Sequence, residues 1–141
     1  MGNICRSPTA EEVLRVHSRR AGLGLHLDSA GTENYHVGEP PDERSIRHAA
    51  LRGYDLSGLR ARQVGPEDFR DFDLLLAADT LNLGVLRDRC PPEHRGKLAL
   101  FLGDRPLPDP YYGEAPDFEK VLDLVEKRVN SLIADWSRAT D

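Results

Sequence analysis

The run Phe72–Asp79 reads Phe-Asp-Leu-Leu-Leu-Ala-Ala-Asp, an almost continuous apolar stretch that ends in an acidic residue. Consecutive apolar residues over this length are typical of a strand in a parallel sheet that helices cover on both faces. Lys97–Gly103 has the same character, and a helical pattern from about Thr80 to Arg89 lies between the two runs. The order strand, helix, strand predicts a parallel βαβ unit.

The chain before this unit also alternates between helical and extended patterns. Apolar spacing predicts a helix over about Pro8–Arg20, with Ser7 as its N-cap and the proline at its first position. Leu25–Gly31 is predicted to be a short strand that leads into a glycine turn. Pro41–Arg52 is predicted to be a second helix, which Gly53 closes.

The last helix has the clearest pattern in the chain. It begins with Asp117 as the predicted N-cap and carries a single apolar stripe on one face. The stripe consists of Phe118, Val121, Leu122, Val125, Val129, Leu132, Ile133 and Trp136. Together these elements predict one α/β domain over residues 1–141, built as a three-layer, doubly wound parallel sheet.

Composition excludes several classes of protein. The 141 residues are 39% hydrophobic and 30% charged, and their formal net charge is −5. This balance is that of a globular domain, and it argues against a general affinity for nucleic acid or an anionic membrane. The longest apolar runs are too short to cross a bilayer. Two cysteines, Cys5 and Cys90, fit a reducing compartment, so we expect a cytoplasmic protein.

The N-terminal residues have the composition of an anion-binding turn. Residues 1–8 place a glycine turn just before a predicted helix, where backbone amides and the helix dipole favour a negative charge. Gly2 permits a tight turn, and Arg6 can bind phosphate through two parallel hydrogen bonds. The alternative is a frayed terminus before an ordinary capped helix, and spacing alone does not separate the two.

A resemblance to a known family rests on motifs spread along the chain. Gly2–Pro8 resembles the phosphate-binding loop of the low-molecular-weight protein tyrosine phosphatases, and Asp109–Gly113 resembles the acid loop of that family. Asp28–Thr32 and Ala61–Gln63 match intermediate segments in the same order. The resemblance covers nearly the whole chain, and it implies a sheet of four parallel strands in the complete family fold.

The resemblance also implies roles for individual residues. Its phosphate-binding loop comprises Gly2, Asn3, Ile4, Cys5, Arg6 and Ser7. Arg6 is implied to clamp the phosphate, Asp109 to act as general acid, and Tyr35, Tyr111 and Tyr112 to wall the aryl group. The family chemistry needs no metal and no cofactor. The alternative, purely structural roles are that Asp109 only starts a turn and that the tyrosines are ordinary aromatic residues of loops.

The family pattern C-x5-R-[ST] places the nucleophilic cysteine one position before Met1, because five residues separate it from Arg6. The sequence therefore has no nucleophile, and Cys5 does not replace it, since it adjoins the arginine. One explanation is an upstream strand that ends in cysteine, and the other is a non-catalytic remnant. Without that interior strand, the 141-residue form is expected to fold poorly and to be inactive.

The leading functional hypothesis is thus a phosphatase that hydrolyses phosphotyrosine through a cysteinyl-phosphate intermediate. The first alternative is a binder of phosphate or phosphoproteins without catalysis. The second is an arsenate reductase, which the acid loop at Asp109 and the single late cysteine, Cys90, disfavour. The expected partner is a tyrosine-phosphorylated protein, with a bacterial-type tyrosine kinase as opposing enzyme, and the expected state is a monomer or weak dimer.

Two acidic residues have open or minor roles at this point. Asp79 ends the apolar run, where it is either the cap of the next helix or an acid that braces the phosphate-binding loop. Glu11 lies on the first predicted helix and is expected to be a solvated side chain.

Overall fold

The computed structural model describes residues 5–140, without the side chains of residues 139 and 140. Its α-helices are α1 (Arg6–Arg20), α2 (Glu43–Ala50), α3 (Pro66–Asp71), α4 (Thr80–Arg89) and α5 (Ala115–Thr140). The strands are β1 (Leu75–Ala77) and β2 (Leu98–Leu100), and a 3₁₀ helix spans Pro92–Lys97. The predicted helix Thr80–Arg89 is confirmed at both ends. Neither α3 nor the 3₁₀ helix was predicted.

The two strands form the predicted parallel pair around α4. In register, Leu75 lies opposite Leu98 and Ala77 opposite Leu100. Beyond the ladder, the backbone N–H of Leu107 donates to the carbonyl of Ala78 over 2.7 Å. The chain after β2 is therefore held against the carboxyl end of β1, where ligand sites of parallel sheets lie.

The sheet separates two apolar clusters, as a three-layer fold requires. Leu76 packs against the larger cluster, which α1, α2 and α5 build, with Val125 and Val129 of α5 fully buried. Leu75 and Ala77 pack on the opposite side, in a smaller cluster with residues of α3 and α4. Successive residues of β1 thus serve opposite faces, the two-residue period of a strand covered on both sides. This confirms the predicted fold class.

The predicted strand Leu25–Gly31 is wrong over most of its length. Residues 23–30 form no ladder, and the segment makes a single parallel bridge, from Gly31 to Gln63. Leu25–Ala30 and β1 instead line the same cavity, and within residues 5–140 no strand pairs with this segment. Apolar residues alone do not make a strand, because a strand needs a partner for its backbone groups.

Two predicted helix caps are displaced, that of α1 by two residues and that of α5 by three. Helix α1 begins at Arg6, with Cys5 at its N-cap position, so Ser7 lies inside the first turn. Proline is tolerated throughout a first turn, so Pro8 does not mark the first helical residue. Helix α5 begins at Ala115, and the carboxylate of Asp117 reaches back to accept the backbone N–H of Glu114 over 2.8 Å.

Within residues 5–140, no helix combines the length and apolar character needed to span a membrane.

We predict that Leu56→Ala destabilises the fold strongly. Leu56 is fully buried in the larger cluster, so truncation removes apolar contacts and leaves a cavity. The free energy of unfolding should fall by about 2–5 kcal/mol, measured by urea denaturation. Leu51→Ala is the matched control, because Leu51 is 78% exposed and its truncation should change the free energy by less than about 0.5 kcal/mol. Similar losses in both variants would contradict the assignment of the core.

Candidate active site

Arg6 is the charged residue on which the site is built. It begins α1 and only 6% of it is exposed, so the protein itself fixes its guanidinium. Its Nη1 donates to the carbonyl of Leu107 over 2.8 Å, and its Nη2 lies 2.9 Å from Oδ2 of Asp79. One guanidinium therefore links the start of α1 to β1 and to the segment that follows β2.

Asp79 performs both of the roles that the sequence left open. Its Oδ1 accepts the backbone N–H of Asn82 over 2.8 Å and so caps α4, while Oδ2 pairs with Arg6. Burial alone would raise the pKa of Asp79, but the Asn82 amide and the Arg6 guanidinium outweigh it and hold the pKa below its ordinary value. The carboxylate therefore stays charged and orients the arginine.

Asp109 lies beside this pair. Its Oδ2 is 3.8 Å from Nη2 of Arg6, and its Oδ1 accepts the backbone N–H of Tyr111 over 3.1 Å. Its side chain is 49% exposed, so it can reach a ligand that enters from solvent. The structure thus brings together a buried cation from the start of α1 and an accessible carboxylate from the segment between β2 and α5.

The described residues to which the resemblance assigned a role in the site line one cavity of about 1010 Å³. They are Cys5, Arg6, Ser7, Tyr35, Asp109, Tyr111 and Tyr112. Gly2, Asn3 and Ile4 lie outside the described residues. The apolar side chains of Leu14, Leu27, Leu76 and Trp136 also line this cavity.

Aromatic side chains surround the mouth of the cavity. Tyr111 and Tyr112 meet edge to face with ring centroids 4.8 Å apart, and Tyr112 is 95% exposed. Tyr35 contacts His36 edge to face at 5.5 Å, and the His36 ring lies 6.4 Å from that of Tyr111. His36 therefore lies between Tyr35 and Tyr111, and its Nδ1 is 2.7 Å from Oε2 of Glu39. This residue was not predicted from the sequence.

Cys5 has the environment of an unreactive thiol. It is buried, and burial raises the pKa of its thiol to about 11, although the hydroxyl of Ser45 lowers it. At neutral pH the sulfur is therefore protonated, whereas an attacking cysteine must be a thiolate.

A buried polar cluster supports the site from behind. The hydroxyl of Thr32 donates to the side-chain oxygen of Asn82 over 3.0 Å, and the carbonyl of Thr32 accepts from Arg89 over 2.8 Å and from Gln63 over 3.2 Å. These bonds tie the Gly31–Thr32 turn to α4. The backbone N–H of Asn82 also donates to the carboxylate of Asp79. The cluster therefore helps to fix the carboxylate that orients Arg6.

The expectation for Glu11 is wrong. Glu11 is 6% exposed, accepts the hydroxyl of Ser29 over 2.5 Å, and pairs with Arg15. It is buried because α1 turns this face toward the cavity, and two donors satisfy its carboxylate. The i, i+4 spacing of Glu11 and Arg15 was a signal of the pair. Nothing local in the sequence indicated Ser29.

The family profile of the low molecular weight phosphotyrosine protein phosphatases matches residues 1–140. The chain belongs to this family. A low molecular weight protein-tyrosine-phosphatase of Streptomyces coelicolor is 40% identical over 144 residues, which cover 94% of this chain and 87% of that protein. The phosphatase family therefore accounts for nearly the whole sequence.

Solved structures of phosphatases agree with this assignment. A crystal structure of protein tyrosine phosphatase from Entamoeba histolytica with Hepes in the active site superposes with a TM-score of 0.94. It is 34% identical and covers 100% of this chain and 95% of its own. Vibrio vulnificus Wzb in complex with benzylphosphonate superposes at 0.86, with 28% identity over 96% of this chain and 93% of its own. The phosphatase fold of this chain is therefore shown by sequence and by structure.

Proposed function

We propose that this phosphatase hydrolyses phosphotyrosine in proteins through a cysteinyl-phosphate intermediate, with the nucleophile at the position directly before Met1. The observation that carries the proposal is the approach of Arg6 and Asp109 to 3.8 Å on the wall of one cavity. A buried, oriented cation beside an accessible acid is the pair that phosphate-ester cleavage needs. A tyrosine kinase of the bacterial type is the expected opposing enzyme, and the cytoplasm the expected compartment.

Arg6 would stabilise the charge on the transferred group. Its guanidinium cannot turn away, because the carbonyl of Leu107 and the carboxylate of Asp79 hold two of its nitrogens. It also lies in the first turn of α1, where the helix dipole favours an anion. Positive charge held in place before the reaction is usually the largest contribution to phosphoryl transfer.

Asp109 would move the proton in both steps. In the first step an S–P bond forms, the P–O bond to the phenol breaks, and the carboxyl group gives its proton to the departing oxygen. In the second, water attacks phosphorus, the carboxylate takes a proton from that water, and the thiolate leaves. Phosphate and phenol are the products, and the residue returns to its initial state.

The aromatic mouth favours an aryl substrate. Tyr35, Tyr111 and Tyr112 offer ring faces and edges at the entrance, and rings pack well against such walls. The related Vibrio vulnificus protein was solved with benzylphosphonate, which joins an aromatic ring to a phosphonate. This supports phosphotyrosine over phosphoserine, whose short side chain places no ring between these walls.

We predict that Asp109→Asn acts mainly on esters with poor leaving groups. The chain for this assay carries a cysteine directly before Met1. The kcat/KM for phenyl phosphate should fall about 10²-fold, because phenolate needs a proton as it leaves. The kcat/KM for 2,4-dinitrophenyl phosphate should fall much less, because that phenolate leaves unprotonated. Asp104→Asn is the control, since Asp104 is an exposed carboxylate in the same segment. Equal losses on both esters would remove Asp109 from the acid role.

A further inference from the structure

Arg44 connects helix α2 to the loop that carries Asp109. It is the second residue of α2, and its side chain leaves the helix toward residues 111–113. Its Nη2 donates to the carbonyl of Tyr111 over 2.6 Å, and its Nη1 donates to the carbonyl of Gly113 over 3.2 Å. One guanidinium therefore fixes two backbone groups of the loop.

The guanidinium of Arg44 is itself held in place. Asp42 accepts from its Nε over 3.1 Å and from its Nη2 over 3.0 Å, and also accepts the backbone N–H of Arg44 over 2.9 Å. The central guanidinium carbon of Arg44 (Cζ) lies 4.7 Å from the ring centroid of Phe118 and 5.8 Å from the ring centroid of Tyr111. This planar, stacked and forked geometry is specific to arginine, and a lysine does not reproduce it.

Asp42 keeps its charge in this arrangement. Burial alone would raise the pKa of its carboxyl group, but the hydrogen bonds from Arg44 outweigh burial and hold the pKa below its ordinary value. The same carboxylate caps α2, so the anchor is attached to a helix end and not to another loop.

The acid loop lies between two anchors. On one side, Leu107 is bound to the carbonyl of Ala78, at the end of β1. On the other, Arg44 holds the carbonyl of Tyr111, whose own N–H donates to the carboxylate of Asp109. The other described backbone bond of this turn, from Gly113 to the carbonyl of Pro110, is internal to it. The position of the Asp109 carboxylate relative to Arg6 thus depends on both anchors.

We propose that Arg44 is a positioning residue for the general acid: by holding Tyr111 and Gly113, it places Asp109 for proton transfer to the leaving group. The proposal rests on the proposed function. Arg44 acts through the loop, and it therefore affects the step that Asp109 assists and not the binding of phosphate by Arg6.

Arg44→Gln, in the chain with a cysteine before Met1, tests this assignment. The kcat/KM for phenyl phosphate should fall about tenfold, because a misplaced acid transfers its proton poorly. The kcat/KM for 2,4-dinitrophenyl phosphate should fall less than about twofold, because that ester needs no acid. The kcat/KM of Arg44→Lys for phenyl phosphate should lie between those of the parent and Arg44→Gln, because one ammonium group can bind only one of the two carbonyls. Arg47→Gln, an exposed arginine on the same helix, should match the parent. Equal losses on both esters would overturn the proposal.

A double-mutant cycle separates positioning from general destabilisation. In the Asp109→Asn background, Arg44→Gln should lower kcat/KM for phenyl phosphate less than about twofold, because no acid remains to be positioned. A loss as large as in the parent would overturn the proposal, since it would show that Arg44 acts independently of Asp109.

Amide hydrogen exchange gives a readout that does not depend on catalysis. The amides of Tyr111 and Gly113 should exchange about tenfold faster or more in Arg44→Gln, and unchanged in Arg47→Gln, because the loop loses its anchor to α2. Unchanged exchange in Arg44→Gln would overturn the positioning role. If the parent hydrolyses no aryl phosphate while exchange responds as expected, the proposed function fails and the anchor stands.

Discussion

Phenyl phosphate is expected to be hydrolysed by a chain in which cysteine directly precedes Met1, and not by the same chain with serine at that position. Five residues, Met1 to Cys5, then separate the nucleophile from Arg6, which is the spacing of the family loop. The start of α1 and the nearby guanidinium favour a thiolate, whereas a serine hydroxyl stays protonated at neutral pH. The expected difference in kcat/KM is at least about 10⁴-fold.

Both chains should carry an apolar segment of about five residues before the varied position, the usual length of a strand. Leu25–Ala30 and β1 line a common cavity, and within the described residues β1 pairs only with β2, so such a segment has room and backbone partners. We expect both chains to melt at a higher temperature than the 141-residue chain. A single cooperative transition of equal midpoint in all three would contradict this.

The serine chain is the matched control, because it keeps the cradle and lacks only the sulfur. It should bind inorganic phosphate as tightly as the cysteine chain in calorimetry. Phosphate binding without hydrolysis in the cysteine chain would favour the non-catalytic phosphate binder. Equal hydrolysis by the 141-residue chain would show that the nucleophile lies elsewhere.

Arg6→Lys is expected to lower kcat/KM for phenyl phosphate on the order of 10³-fold, the scale of arginine contributions to phosphoryl transfer. Lysine keeps one positive charge beside Asp79 but loses the fork, so two phosphate oxygens are no longer held at once. Lysine also loses the hydrogen bond that Nη1 of Arg6 donates to the carbonyl of Leu107. Inorganic phosphate should therefore bind more weakly as well.

Arg87→Lys is the matched control for this change. Arg87 is exposed on α4, so its replacement should leave both phosphate affinity and kcat/KM within about twofold of the parent. Circular dichroism should show the same helix content in both variants. An Arg6→Lys protein with unchanged phosphate affinity would remove Arg6 from the phosphate site.

The sequence alone predicted the elements whose causes are local. The apolar run before Asp79, the helix Thr80–Arg89 and the stripe on α5 depend on periodicity and capping, which neighbouring residues determine. The family resemblance of two short motifs pointed to Arg6 and Asp109 as site residues. Helix starts were less accurate, because proline and acidic residues are accepted at several positions of a first turn.

Only the tertiary structure decided which groups act on one another. No rule of sequence spacing predicts a contact between residues distant in the chain. Examples are the pairs Arg6–Asp79, Arg44–Tyr111 and Glu11–Ser29. The failed strand at Leu25–Ala30 has the same origin, since a strand exists only where another backbone offers its hydrogen bonds. The local sequence pattern determines which secondary structure a segment can adopt, and long-range packing determines which groups that segment contacts.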